Sequence, residues 1–345
     1  KDIHVTEEMD LQKVLNEAKD GDIITIEEGI YEGNFTITNS LTVSGKSGTV
    51  IKGPNKGNVL TIDANHVVIE NLQIEGSGTQ NAGIYVKGNQ NKMKNNKLYN
   101  VFNGIQVKDG YANEITENLI TGFKNNGAHQ GFGVYLIEAP HTKVKNNYLY
   151  DTNDGIYISF SDLCEISYNE INKSRYGIHT MDSKNIVITQ NHITESRNGL
   201  MIMQSDYINI KENVLEHNTT IDGAGMFIYD TFDSKISANI MKQNNKGIYL
   251  ENALRNQIVF NEFVENDTGL ELSEASDDNQ VILNNFTGNN QQIITEKENE
   301  NNTFHLEGYG NYWDDFHPLD TNQDEVNDYA YKSGDVFYNL TSSEP

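Results

Sequence analysis

The chain has 345 residues, 36% of them hydrophobic, and 50 acidic against 25 basic side chains give a formal charge of −25. That balance argues against nucleic acid, which calls for clustered Lys and Arg, and against anionic membrane surfaces; it favours cations and basic partners through long-range attraction. One cysteine leaves no internal disulfide, and no run of 18 apolar residues offers a membrane-spanning helix.

No signal peptide is visible, so Lys1 reads as a mature or trimmed start. Residues 6–19 predict a short helix with Thr6 as N-cap, Glu7 and Glu8 in the first turn, and Leu11, Val14, Leu15 and Ala18 on one face. Strands are expected at 22–27, 34–38 and 41–44. A helix beside them would cover an open sheet edge, which otherwise stays unpaired.

From there two ladders set the organisation. Gly133, Gly155, Gly177 and Gly199 are 22 residues apart, as are Gly225, Gly247 and Gly269, and each opens a short strand such as Gly-Ile-Tyr-Ile or Gly-Leu-Met-Ile. Asn96, Asn118, Asn147, Asn169, Asn191, Asn213, Asn239 and Asn261 recur mostly at the same spacing, each after an apolar-x-x step. A repeat of two or three short alternating strands cannot bury its apolar face alone, but stacked repeats can. The chain is rich in β-branched and aromatic pairs at spacing two, with 28 Gly and only 4 Pro. These features predict an all-β, right-handed parallel β-helix with one coil per 22 residues over 1–307, and a C-terminal capping tail over 308–345. The asparagines read as structural turn residues able to hydrogen-bond one another along the axis.

Two insertions interrupt the ladder, one of 7 residues within Asp109–Gly131 and one of 4 within His217–Ala224. Both precede a glycine-led strand, so both loops emerge at one edge of the repeat. They either wall a groove over the outward face or reflect drift at a tolerant surface position. Cys164 aligns with Ile186 and Ile208 and reads as a buried structural thiol.

Strand alternation sends Ile156, Ile178, Leu200 and Met226 inward and predicts an outward stripe of Tyr135, Tyr157, His179, Met181, Met201, Met203, Phe227, Tyr229 and Tyr249. Three of only 7 methionines fall on two neighbouring outward rungs beside a histidine. Burial of a Met is worth roughly 1.5–3 kcal/mol, so a folding requirement alone would send them inward. Thioether and imidazole are soft ligands that favour Cu(I). His179, Met181, Met201 and Met203 are therefore a candidate copper site; docking against a protein, or cover by an inserted loop, is the other use of such a stripe. His129 lies in the first inserted loop and is a further candidate to reach the same groove. His192 and His217 fall off the stripe.

At these residues the chain resembles a known family, the copper-binding accessory proteins of nitrous-oxide reductase maturation, called NosD. Tyr176-Gly-Ile-His-Thr-Met-Asp-Ser183 is similar to the family's Tyr-Gly-x-His-x-Met-x-Ser, Met203-Gln-Ser205 to its Leu-Met-x-Ser one coil later, and Gly310-Asn-Tyr-Trp-Asp-Asp-Phe316 with the acidic run 320–328 to its Gly-Asn-Tyr-Trp-x-Asp end. The resemblance implies an extracytoplasmic β-helix without catalytic turnover. It implies work with ABC transporter subunits, a copper donor protein and nitrous-oxide reductase. By motif it carries over His179, Met181 and Met203; Met201 rests on the ladder alone.

Two further readings follow from the residues. Asp320, Asn322, Asp324 and Asp328 are spaced like part of a calcium loop, although Glu325 stands where the turn needs Gly and Tyr331 where a bidentate Glu is needed. A polysaccharide lyase or epimerase is the rival function, since an aromatic stripe can stack sugars. Such an enzyme needs cations for uronate carboxylates plus a positioned acid and base. With three Arg in the chain, Arg175 and Arg197, one rung apart, are its best candidates.

Overall fold

The computed structural model describes residues 1–123, 130–273, 275–296 and 301–316, together with the backbone of 331–332 and 339–340. The chain divides into two compact units, Lys1–Arg175 and Tyr176–Pro345. Each is a parallel β-solenoid in which a coil contributes three short strands and each strand pairs with its counterpart one coil on.

In the first unit, Lys92–Lys94, Lys97–Tyr99 and Asn103–Lys108 lie parallel to Glu114–Thr116, Leu119–Thr121 and Phe132–Ile137, with Met93 opposite Ile115, Leu98 opposite Ile120 and Ile105 opposite Val134. In the second, Val187–Thr189, His192–Thr194 and Asn198–Met203 lie parallel to Asn209–Lys211, Val214–Glu216 and Ala224–Tyr229. The facing apolar residues form columns of fully buried side chains, as the period-two pattern requires. A single residue in the left-handed region turns each corner between the first two strands, for example Asn95, Glu117, Gln190 and Glu212, at φ between 54° and 59°.

The ladder asparagines sit one residue after these corners, and they are buried rather than exposed turn residues. In the first unit the Asn96 N–H donates to Asn118 Oδ1 at 3.0 Å, and Asn118 repeats the bond to Asn147 at 2.9 Å. In the second the same step links Asn191, Asn213, Asn239, Asn261 and Asn284. The Nδ2 groups of Asn118, Asn239 and Asn261 also donate to a main-chain carbonyl of the preceding coil, as that of Asn213 does to Ile188 O at 2.9 Å. Corner polar groups buried by stacking thus find partners in one another. A second ladder, Asn218 to Asn244 to Asn266, follows the next corner.

The N-terminal helix is shorter than expected, Leu11–Glu17, and its N-cap is Asp10, whose side chain accepts the Lys13 N–H at 3.1 Å. Thr6 instead closes a turn with Met9, and the Glu7 carboxylate is drawn to the Ile30 N–H. A strand, Asp2–Val5, precedes the helix and pairs with Ile23–Ile26. The helix covers the edge of Phe35–Ile37: the Gln12 amide both donates to Thr36 O and accepts from Thr36 N, at 2.9 and 2.8 Å. That is the open-edge protection the sequence called for.

At the far end of the second unit, Tyr312–Trp313 lies parallel to Asn285–Thr287, and Asn311 Oδ1 accepts the Asn284 N–H. The ladder thus continues past residue 307. Phe263, Phe286 and Trp313 stack there with ring centroids 4.5 and 4.4 Å apart. The two insertions fall between Leu119–Thr121 and Phe132–Ile137 and between Val214–Glu216 and Ala224–Tyr229, the same corner of the repeat.

Candidate metal centre

His179 and Met181 end the strand Glu170–Met181, and Met201 and Met203 end Asn198–Met203. Parallel pairing sets His179 opposite Met201 and Met181 opposite Met203. Ile178 and Thr180, opposite Leu200 and Ile202, fill the core between them. All four candidate ligands therefore project from one face of one sheet, as alternation predicts.

Gly177 and Gly199 let these strands approach. A Cβ on Gly177 would lie 2.5 Å from both Gly199 O and Ile193 Cγ2, so a larger residue would displace the strand that carries His179. At the other end, Ser183 Oγ donates to Met181 O at 3.0 Å and Ser205 Oγ to Met203 O at 2.7 Å. The intervening Asp182 and Gln204 take φ of 50° and 47°. The serine of each Met-x-Ser segment is thus a fastener for the corner that follows the ligand strand, a role spacing alone did not reveal.

His179 Nε2 and Met203 Sδ are 3.3 Å apart across the two strands. Two donors held at about 2.0 and 2.3 Å by one tetrahedral ion stand roughly 3.5 Å apart. The pair is therefore spaced to share an ion with little rearrangement. Met181 is brought beside Met203 by register, and both are partly exposed. Met201 is turned elsewhere: its sulfur lies 3.7 Å from Asn198 Nδ2.

Among these four, the expected display to solvent holds for Met181 and Met203. His179 and Met201 are 5% and 7% exposed. They face away from the aliphatic columns yet are shielded by neighbours on the same face. Tyr176 packs edge-on against His179 with ring centroids 5.2 Å apart, and Phe227 stands opposite Met201. Bulky side chains on strands about 4.8 Å apart cover one another. Tyr176, Asn198, Ser183 and Ser205 are the supporting residues the sequence did not single out. Tyr176, Ser183 and Ser205 nonetheless lie in the motif segments themselves.

Other candidates fare differently. His129 and Asp320, Asn322, Asp324 and Asp328 lie outside the described residues. Among the described residues no three His, Cys, Asp or Glu side chains are grouped to hold a metal ion. Cys164 is buried, and burial pushes its thiol up to about 12, which keeps it protonated and a poor ligand. His192 is tied to Glu216 at 2.8 Å. Arg175 makes a two-pronged pair with Asp154, a fully buried carboxylate, at 3.0 and 3.1 Å. That partner engages the guanidinium that a uronate enzyme would need.

The family described as periplasmic copper-binding protein (NosD) matches residues 123–318. The chain belongs to the NosD family. A relative named probable ABC transporter binding protein NosD from Stutzerimonas stutzeri is 30% identical, over 89% of this chain and 74% of the relative. One of the same name from Pseudomonas aeruginosa is 32% identical, over 89% and 76%. NosD relatives are thus named as binding proteins, not enzymes. Among solved structures, the Azotobacter vinelandii mannuronan C-5 epimerase AlgE6 A-module aligns with a TM-score of 0.72 at 12% identity, over 85% of this chain and 91% of that one. A likeness at that identity shows the solenoid fold alone. No described helix is long and apolar enough to cross a membrane.

Proposed function

We propose that this NosD-family chain carries Cu(I) in an extracytoplasmic compartment, gripped by His179, Met181 and Met203, with the Met201 thioether beside them. It accepts the ion from a copper donor protein and passes it on for assembly of the copper centres of nitrous-oxide reductase, working with ABC transporter subunits. The observation that carries the reading is the 3.3 Å approach of His179 Nε2 to Met203 Sδ, beside Met181. The donor set supports it chemically: thioethers bind Cu(I) far better than they bind Zn, Ca or Mg. The names of the two relatives support the transporter partner. The excess of 25 acidic over basic side chains draws cations toward the chain.

Anaerobic Cu(I) titration against a competing chelator tests the site. The parent is expected to bind one ion, and Met181→Ala and Met203→Ala to lose it; undiminished binding in both variants would overturn the assignment. Delivery is tested by mixing the loaded chain with copper-free nitrous-oxide reductase and the transporter. Transfer faster than from a copper–chelator complex supports it, and no transfer contradicts it.

A further inference from the structure

Asn198 opens the strand Asn198–Met203, three residues before Met201 and five before Met203. Its Oδ1 accepts the Ala224 N–H at 2.8 Å, which fixes the side chain against the next coil. Its Nδ2 is left 3.7 Å from Met201 Sδ. A strand rises about 3.3 Å per residue, so Asn198 and Met203 lie on opposite sides of Met201, roughly 10 and 7 Å along the chain. A sulfur within reach of Asn198 therefore leans away from Met203 and from the imidazole nitrogen in contact with it. Asn198 and Met201 are 3% and 7% exposed, so water does not compete for this contact.

The first unit contains the same device with an ordinary acceptor. Asn103 opens Asn103–Lys108, its Oδ1 accepts the Phe132 N–H at 2.9 Å, and its Nδ2 donates to Gln106 Oε1 at 3.3 Å. Gln106 is three residues on, as Met201 is from Asn198. There the amide meets an oxygen; in the second unit it meets a thioether, a weak acceptor that is readily released.

Resting on the copper reading above, we propose that Asn198 is a positioning residue that holds Met201 in reserve. Copper is gripped by His179, Met181 and Met203, and Met201 joins as a fourth donor only on leaving Asn198. The tether lowers resting affinity slightly and keeps one soft donor available for the moment when the ion changes hands.

Asn198→Asp tests this, because it keeps an oxygen for the Ala224 N–H and removes the amide donor. The probe is Cu(I) alone, read by X-ray absorption for sulfur neighbours and by chelator competition for affinity. The parent is expected to show two sulfurs and one nitrogen per copper. Asn198→Asp is expected to show three sulfurs and bind about three- to tenfold tighter, the worth of one modest hydrogen bond. Met201→Leu should cancel the gain in the double variant, as expected when two residues act through one contact. Three sulfurs in the parent, a Met201→Leu loss as large as that of Met203→Ala, or a gain that persists without Met201 would each overturn the tether. Copper bound with no sulfur neighbour would instead overturn the ligand assignment itself.

Discussion

The glycine-led strands of the two units share a backbone and differ in what they present. In the first unit, Phe132–Ile137 sends Val134 and Leu136 into the core and packs Tyr135 with Phe132 and Tyr157, ring centroids 4.8–5.2 Å apart. Burial, then the neighbouring Tyr157, pushes the Tyr135 phenol up, which keeps it un-ionised. In the second unit the same positions hold His179 and Met201, and two residues on, Met181 and Met203. Strand, corner and asparagine ladder are common to both. Chemistry is set by two outward positions per coil, which the scaffold holds in register whatever occupies them.

The comparison breaks first at the scaffold. Asn118 and Asn213 play the same part in their units, each accepting from the previous asparagine and donating to a carbonyl. Replacing either by Ala leaves buried groups unpaired and is expected to cost about 2–5 kcal/mol, read by urea unfolding. A cost in only one unit would show that the ladders are not equivalent.

The outward positions come next. His179→Ala or Met203→Ala should weaken Cu(I) binding by more than about a hundredfold, since loss of even a supporting contact around a metal costs 10–100-fold. Tyr157→Ala, the same position in the first unit, should leave it unchanged. A loss with Tyr157→Ala equal to that with Met203→Ala would erase the distinction between the units.

A smaller effect sharpens the contrast inside the core. Most core positions of these strands are aliphatic, but Thr180 is fully buried and its hydroxyl has no hydrogen-bond partner among the described residues. Thr180→Val is expected to raise stability by about 1 kcal/mol with copper affinity unchanged; a destabilised variant would show that the hydroxyl is used. The smallest expected effect concerns Cys164. Its thiol, pushed up to about 12 by burial, should resist alkylation by iodoacetamide at a pH of about 8.5, where an ordinary thiol is half ionised. Rapid labelling of the folded chain would contradict its burial.

Much of this was legible in the residue order because stacking turns spacing into contact. Glycines 22 apart gave the coil, and period-two alternation placed His179, Met181, Met201 and Met203 on one face. What spacing could not give was side-chain direction and cover. Met201 and Met203 share a strand and a face, yet one sulfur turns to Asn198 and the other to His179. The shielding of His179 comes from Tyr176, whose ring position depends on packing rather than pattern. The helix start moved from Thr6 to Asp10 for a similar reason: tertiary contacts of Glu7 and the turn at Met9 outweighed a local cap.

Copper binding at this site requires one imidazole and one thioether to meet at a single ion. A double-mutant cycle of His179→Ala and Met203→Ala, read by anaerobic Cu(I) competition, tests it most directly. If both grip the same ion, the double variant should bind hardly worse than either single one, a strongly non-additive result. Losses that simply add, or single variants that bind like the parent, would contradict it.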